Sequence, residues 1–442
     1  MILMTDIFEL AREALKYTEE AGADEAEIFC IKGRSITIDV QRDEIDFARE
    51  SLLSGIGIRA IVSGAVGFSS TNDASRIKEA CVLAVRSARV RGSDPQWSGL
   101  PERKKPSVVR DIFDRRLEDI DIEACIDHTM DMIEGTKSIP SAVPTSGHFS
   151  CASSTQLILN SHGVEVEEPE TSIQASADTV AKNSEISTAS EFDISRKLDI
   201  DFRAIGTRAA LLASRSLNGV GVETGDTAVL LEPMAFADIL ENTLLSSLNA
   251  DNVQKGRSSL IGKLDKKIAA EALSLADDGT LTAGIGTAST DDEGTPSKRN
   301  EIVKDGTLLS FLYDCYTAGK EKRESTGNAI RSSFTSTPSI GIRNLIISHP
   351  SCDIIADTRE GVIINTVIGA HTANPISGDF SVEARNSFRI RDGEVGSPIK
   401  SMMLSGNIFD VLQGIDGAGK DVRKVGNIIT PTVRVSKMRV VG

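Results

Sequence analysis

Along the chain the apolar positions change period several times. Ile7, Leu10, Ala11, Ala14 and Leu15 recur at helical spacing, which predicts a helix capped by Asp6 and ended at Gly22. Strand-like segments rich in β-formers follow at 27–31, 35–40, 56–62 and 65–69, punctuated by Gly55, Gly57, Gly64 and Gly67. Helical spacing returns in Ile77, Ala80, Cys81, Ala84, Val85 and Ala88, between Asp73 and Gly92, so Cys81 is expected in the core. The stretch 91–108 holds Pro95, Pro101, Pro106 and Trp97 and reads as a linker.

The same order then repeats. A helix at 122–133 leads to β-rich segments at 143–150, 157–160 and 173–179, and a helix at 202–217 ends near Gly219. No residue-level similarity accompanies the shared order, so an internal repeat is not established. From Thr227 the pattern changes to one helix at 235–249 and several hairpins, two of them marked by Asp305-Gly306 and Asp392-Gly393, pairs suited to tight turns. The final stretch alternates Val433, Val435 and Met438 with basic residues. The expected fold is α+β: N-terminal α/β modules (helix, antiparallel strands, helix) at 1–92 and 121–220, a linker at 93–120, and a β-rich C-terminal domain at 221–442.

Composition narrows the function. With 40% hydrophobic and 26% charged residues, the chain has the profile of a folded globular protein. Acidic residues outnumber basic ones 64 to 49, a net charge of −15 that repels a phosphate backbone, so nucleic acid is not an expected partner. The basic cluster Arg103-Lys104-Lys105 lies between prolines and reads as solvated linker. No apolar run approaches the roughly 20 residues needed to cross a bilayer, and Met1–Asp6 lacks a basic leader, which places the protein in the cytoplasm without a membrane partner. Six cysteines without a C-x-x-C pair are expected as reduced thiols.

Candidate chemistry is sparse. The five histidines (His128, His148, His162, His349, His371) are mutually distant, and His148 and Cys151 would point to opposite faces of a strand. No His pair sits one helical turn apart, as zinc hydrolases require. Gly414-Ile415-Asp416-Gly417-Ala418-Gly419-Lys420 imitates a phosphate loop, but Asp421 stands where a magnesium-binding hydroxyl belongs, so a glycine-rich turn is expected. Neither a G-x-S-x-G elbow nor a cysteine in a catalytic context is present. Ser325-Thr326-Gly327-Asn328 is expected to form a turn. Asp291-Asp292-Glu293 could hold a hard cation or act in acid–base chemistry, but reads first as a solvated loop.

Several segments, in order along nearly the whole chain, resemble the TldD/PmbA family, also called modulators of DNA gyrase. They are Gly55-Ile56-Gly57-Ile58-Arg59, Gly67-Phe68-Ser69-Ser70-Thr71-Asn72-Asp73, Asn160-Ser161-His162-Gly163, Lys255-Gly256-Arg257-Ser258 and Asp277-Asp278-Gly279. Further on come Asp292-Glu293-Gly294, Ser325-Thr326-Gly327-Asn328-Ala329, Ser377-Gly378-Asp379-Phe380-Ser381 and Leu404-Ser405-Gly406-Asn407. The Gly378–Ser381 and Ser325–Gly327 signatures resemble the TldE/PmbA branch. The metal-bearing TldD branch carries H-E-x-x-x-H just before Lys-Gly-x-Ser, and a cysteine ligand near its end. Here Glu241, Asn242 and Ser246 fall at the motif's His, Glu and His, and no cysteine follows Cys352.

The resemblance implies a subunit without its own zinc site or other cofactor, paired with a TldD-type zinc protease and enclosing a cavity where unfolded peptides are cleaved. No residue receives a catalytic role. Asp292, Glu293, Ser325, Thr326, Asn328, Asp379 and Ser381 are the candidates for cavity or peptide binding. A homodimeric peptide-binding protein and an independent hydrolase built on Asp291–Glu293 are the alternatives.

Overall fold

The computed structural model describes residues 7–442. The cap expected at Asp6 and the reading of Met1–Asp6 lie outside the described residues. Helix α1 (Ile7–Glu20) leads into β1 (Glu25–Gln41), β2 (Glu44–Val62), β3 (Ala65–Thr71) and helix α2 (Ile77–Arg91). The second unit runs α3 (Arg115–Glu118), α4 (Ile122–Lys137), β4 (Ala142–Asn160), β5 (Glu165–Lys182), β6 (Ile186–Ser195) and α5 (Phe202–Arg215).

The two units share one antiparallel six-stranded sheet, ordered β3-β2-β1-β4-β5-β6. The seam is the β1–β4 ladder, from Glu27 opposite Asn160 to Gln41 opposite Ser146. Strand alternation gives the sheet two different faces. Ile28, Cys30, Ile56, Ile58, Leu157 and Leu159 pack under α1 and α2, while Ile36, Ile38, Phe149, Cys151 and Ile173 pack under α4 and α5. Residues of the other parity, Glu27, Phe29, Arg59 and Ile158, face the C-terminal domain, where Phe29 and Ile158 meet Val164 and Phe334. At Gly57 a Cβ would collide with the carbonyl of Phe334, so the absence of a side chain there permits the approach of the two parts.

The C-terminal part begins with strand Gly225–Leu231 and helix α6 (Pro233–Thr243), which starts with Pro233 and buries Phe236, Ile239 and Leu240. Strands Glu360–Ile368, Gly225–Leu231, Val433–Val441, Met402–Asn407 and Asp379–Arg391 pair in that order, and the last pairs back with the first, closing a ring. A second six-stranded sheet is centred on Ser274–Asp278 and Leu345–Ser348, and the same core fills both. Asp305 and Gly306 (φ 49° and 77°), and Asp392 and Gly393 (φ 49° and 81°), turn the two expected hairpins. The fold is α+β, with a β-rich C-terminal region.

Several elements differ from expectation. Segments 27–31 and 35–40 are parts of one strand, β1, and β2 begins at Glu44 instead of near Ile56. Most side chains of its first half are exposed on both faces, which erases the alternation that marks a half-buried strand. The helix expected at 235–249 stops at Thr243 and resumes as Leu245–Leu248. Thr243 Oγ1 bonds to the Ile239 carbonyl (2.5 Å) and Asn242 Nδ2 to the Asp238 carbonyl (2.8 Å), side-chain bonds that compete at the helix end. Within the glycine-rich stretch, Ile415–Ala418 is a strand paired with Val433–Val441 and not a turn. The segment read as a linker is tied down: Trp97 Nε1 and the Leu100 amide donate to Glu25, and Ser107 donates to the Ser289 and Ser297 carbonyls.

Candidate functional site

Glu241, Asn242 and Ser246, which the sequence resemblance sets against the zinc motif, lie at the end of α6 and just beyond. Glu241 is exposed, while Asn242 and Ser246 are half-buried. Asn242 is occupied locally, its amide donating to the Asp238 carbonyl (2.8 Å) and carboxylate (3.0 Å). Ser246 Oγ accepts from Asn252 (3.0 Å). Asp238 and Glu241 line a cavity of ≈390 Å³ between α6 and the edge strand β6, together with Thr188, Ser190, Arg385 and Asn386. Burial raises the Asp238 pKa, Glu241 adds to the rise, and His371 opposes it.

A protease zinc at this place needs imidazole, thiolate or carboxylate donors converging at about 2.0–2.3 Å. Glu241, Asn242 and Ser246 supply one solvated carboxylate, an amide bonded to a neighbour and a hydroxyl, so the donor set does not fit the metal. Among the described residues no group of three or more His, Cys, Asp or Glu side chains converges as a metal site.

The acidic cluster lies in the opposite environment from the solvated loop expected. Asp291 is 0% exposed, Asp292 8% and Glu293 1%. They belong to a buried charge network between the six-stranded sheet and the C-terminal domain. Glu27 on β1 accepts from Arg59 on β2 (2.5 Å) and from Arg331. Arg59 also donates to Glu293 (2.8 Å), whose other oxygen takes the Cys315 amide (2.9 Å). Asp292 accepts from the Arg331 amide (2.6 Å) and from Arg343 (3.2 Å). Asp291 satisfies the amides of Glu293, Thr295 and Ala329. Carboxylates buried at this depth survive only when paired or hydrogen-bonded, which is why the cluster left the solvent.

The network divides its protons unevenly. Burial, then the charge of Glu293, pushes Asp291 up to about 8. Burial works the same way on Glu293, but the Arg59 guanidinium and the Cys315 amide outweigh it and hold Glu293 below the ordinary carboxylate range. Asp277 is pushed up to about 6, chiefly by burial.

Ser325, Thr326 and Asn328 border this network and are themselves buried. Thr326 Oγ1 accepts the Tyr313 amide (2.7 Å), Ser325 Oγ donates to the Tyr313 carbonyl (3.1 Å), and Gly327 turns the chain at φ 76°. Asn328 Nδ2 joins Asp277 (2.6 Å) to the Gly341 carbonyl (2.9 Å). Asp379 and Ser381 lie apart on the ring, exposed, with Asp379 held by Ser377 Oγ (2.6 Å) and Asn407 Nδ2 (2.8 Å). The structure thus joins Asp292, Glu293, Ser325, Thr326 and Asn328 in one region and leaves Asp379, Ser381 and the α6 positions outside it. Sequence reading missed Arg59, Arg331 and Arg343 as partners of the acidic cluster, and Glu27 as the carboxylate that shares Arg59 and Arg331 with it. The signal available was an excess of carboxylate at one turn, which once buried requires cations.

Comparison with known proteins follows the same three parts. Models of the PmbA/TldA metallopeptidase match at residues 26–88 (domain 1), 115–217 (central domain) and 224–442 (C-terminal domain). An uncharacterized protein of Methanocaldococcus jannaschii is 32% identical over 419 residues, covering 95% of this chain and 97% of its own. A metalloprotease TldD homolog of Buchnera aphidicola is 29% identical over 234 residues, 52% of this chain and 48% of its own. The crystal structure of TldE from Thermococcus kodakarensis superposes with a TM-score of 0.90 at 26% identity, over 98% of this chain and 100% of the other. Matches through all three parts and a common fold over nearly the whole chain place this chain in the PmbA/TldD metallopeptidase family.

Proposed function

We propose that this chain is a TldE-type subunit without a catalytic metal, which pairs with a TldD-type zinc protease and helps enclose the cavity in which unfolded peptides are cleaved. The observation that carries the reading is the donor set at the family's metal position: an exposed Glu241, an Asn242 bonded to Asp238, and Ser246. Catalytic zinc sites use three protein ligands and an activated water, and these side chains cannot supply them. The likeness to TldE of Thermococcus kodakarensis over the whole chain supports the branch, and the match to a TldD homolog supports a related partner fold.

Two measurements test it. After dialysis against a weak chelator, the purified chain is expected to hold far less than about one Zn²⁺ per chain, the occupancy a three-ligand site would give. Mixed with a TldD-type protein, it is expected to raise cleavage of an unfolded peptide while cleaving none alone. Stoichiometric zinc, or chelator-resistant peptidase activity of the chain by itself, would replace this reading with an independent hydrolase.

A further inference from the structure

The ≈390 Å³ cavity between α6 and β6 carries more negative charge than its surroundings balance. Asp238 and Glu241 stand three residues apart on α6, a spacing that puts both side chains on one face of the helix. The one guanidinium in the lining, Arg385, is already paired with Glu383 outside it (3.1 Å). Arg423, which lies over the Phe192 ring, is held by Glu191. His371 acts on Asp238 from beyond ion-pair distance. Each neighbouring guanidinium thus has its own carboxylate, and the charges of Asp238 and Glu241 remain unmatched.

A third acceptor comes from the strand Asp379–Arg391. Asn386 is 8% exposed and lines the same cavity. Its Nδ2 donates to the Thr188 carbonyl on β6 and to Ser216 Oγ, each at 2.9 Å. A carbonyl can only accept, so the amide cannot be turned round, and Oδ1 is left without a donor among the described residues. A buried acceptor in that state costs stability until something brought in from outside donates to it. The backbone at Asn386 is held at φ 50°, in the left-handed region that a residue with a Cβ adopts at a cost. Phe192, Met234, Ala237, Val367 and Val425 make the rest of the wall apolar.

We propose that this cavity binds a primary ammonium carried on an apolar chain, the ammonium on Asp238, Glu241 and Asn386 Oδ1 and the stem against Phe192, Met234 and Val367. An ammonium has three donors and no acceptor, which suits acceptors that lack donors, and its charge answers the two unmatched carboxylates. A lysine side chain and a free alkylamine share this chemistry. A bare metal ion does not suit the place: no three metal-binding side chains converge there, and the cavity lies within the roughly 300–1,000 Å³ of organic ligand pockets. The inference rests on the cavity's own residues and not on pairing with a protease.

Calorimetric titration of the full chain tests it, with pentylamine, pentanol, ammonium chloride, and an acetylated and amidated pentapeptide that has lysine between glycines. Pentylamine is expected to bind saturably. Pentanol lacks the charge and ammonium lacks the stem, so each should bind about tenfold more weakly, and Asp238→Asn or Glu241→Gln should weaken pentylamine by about as much. Glu241 is exposed, so an unchanged melting temperature of Glu241→Gln separates lost binding from lost folding. Peptide binding at least as tight as that of pentylamine assigns the ligand to a lysine side chain, and exclusion of the peptide assigns it to a free amine; either result keeps the site. Equal binding of amine and alcohol, unchanged affinity in both variants, tighter binding of Ca²⁺ or Zn²⁺ than of the amine, or no saturable heat overturns the proposal. The proposed function is judged apart from this. Amine binding by a chain that leaves a TldD-type protease unaffected would defeat that function and leave this site standing, and a chain that binds no amine yet raises cleavage would do the reverse.

Discussion

Glu27 and Arg331 show how a single residue can hold two parts of this molecule together. Both are essentially solvent-free, Glu27 sits in the centre of the sheet, and Arg331 reaches it from the C-terminal domain. Removing Arg331 leaves Glu27 with Arg59 as its one remaining cation in a place water cannot reach, a loss of up to about 3–5 kcal/mol. Arg331→Met is therefore expected to lower stability by that order in urea unfolding, and adding Glu27→Gln should recover part of it. If the double variant loses the full sum of both single losses, the pair is not coupled.

The proton on the acidic cluster gives a second expectation at this scale. Asp291 and Asp277 have folded pKa values of about 8 and about 6, above the ordinary value of 3.8. The native state then binds more protons than the unfolded chain between these limits, so the stability these groups contribute is intact below pH about 4 and lost as pH rises through 6 and 8. Asp291→Asn should flatten the upper part of that decline, measured as the difference in unfolding free energy between wild type and variant from pH 5 to 9. An unchanged slope would place the proton elsewhere. None of this was legible in the sequence. Asp291-Asp292-Glu293 carries no mark of burial, because its cations stand at Arg59, Arg331 and Arg343, brought close only by the fold.

At the scale of elements, amphipathic helices and tight turns were legible because their signals are local. α2, α4, α5 and both Asp-Gly hairpins lie where period and turn chemistry put them. The first half of β2 and all of β6 were not, since their partners and not their own pattern make them strands. The break after Thr243 bears in the same way on the positions that the resemblance sets against the zinc motif. Glu241 lies in the last turn of one helical stretch and Ser246 in the next, so side chains at these places do not share a regular helix face. The triple variant Glu241→His, Asn242→Glu, Ser246→His is expected to bind Zn²⁺ weakly by isothermal titration and to leave an unfolded peptide uncut, lacking a third protein ligand. Tight binding with robust cleavage would show the metal site to be only superficially lost.

At the scale of the whole molecule, the sequence suggested two separate helix–strand–helix modules, and the structure gives them one sheet. A ladder such as β1–β4 is invisible to any local signal, because long-range pairing depends on what the rest of the chain makes available. This ladder sets an order of events during synthesis. β1 and its neighbours leave the ribosome roughly a hundred residues before β4, which at about 5–20 residues per second is a wait of some seconds. Through that interval one side of a long, apolar-rich strand has no hydrogen-bonding mate. Such an edge is a template for pairing with another chain. A fragment of residues 1–92 made alone should therefore associate, eluting from a sizing column as oligomers, and the nascent protein has reason to be shielded until its own fourth strand arrives to fill the vacancy.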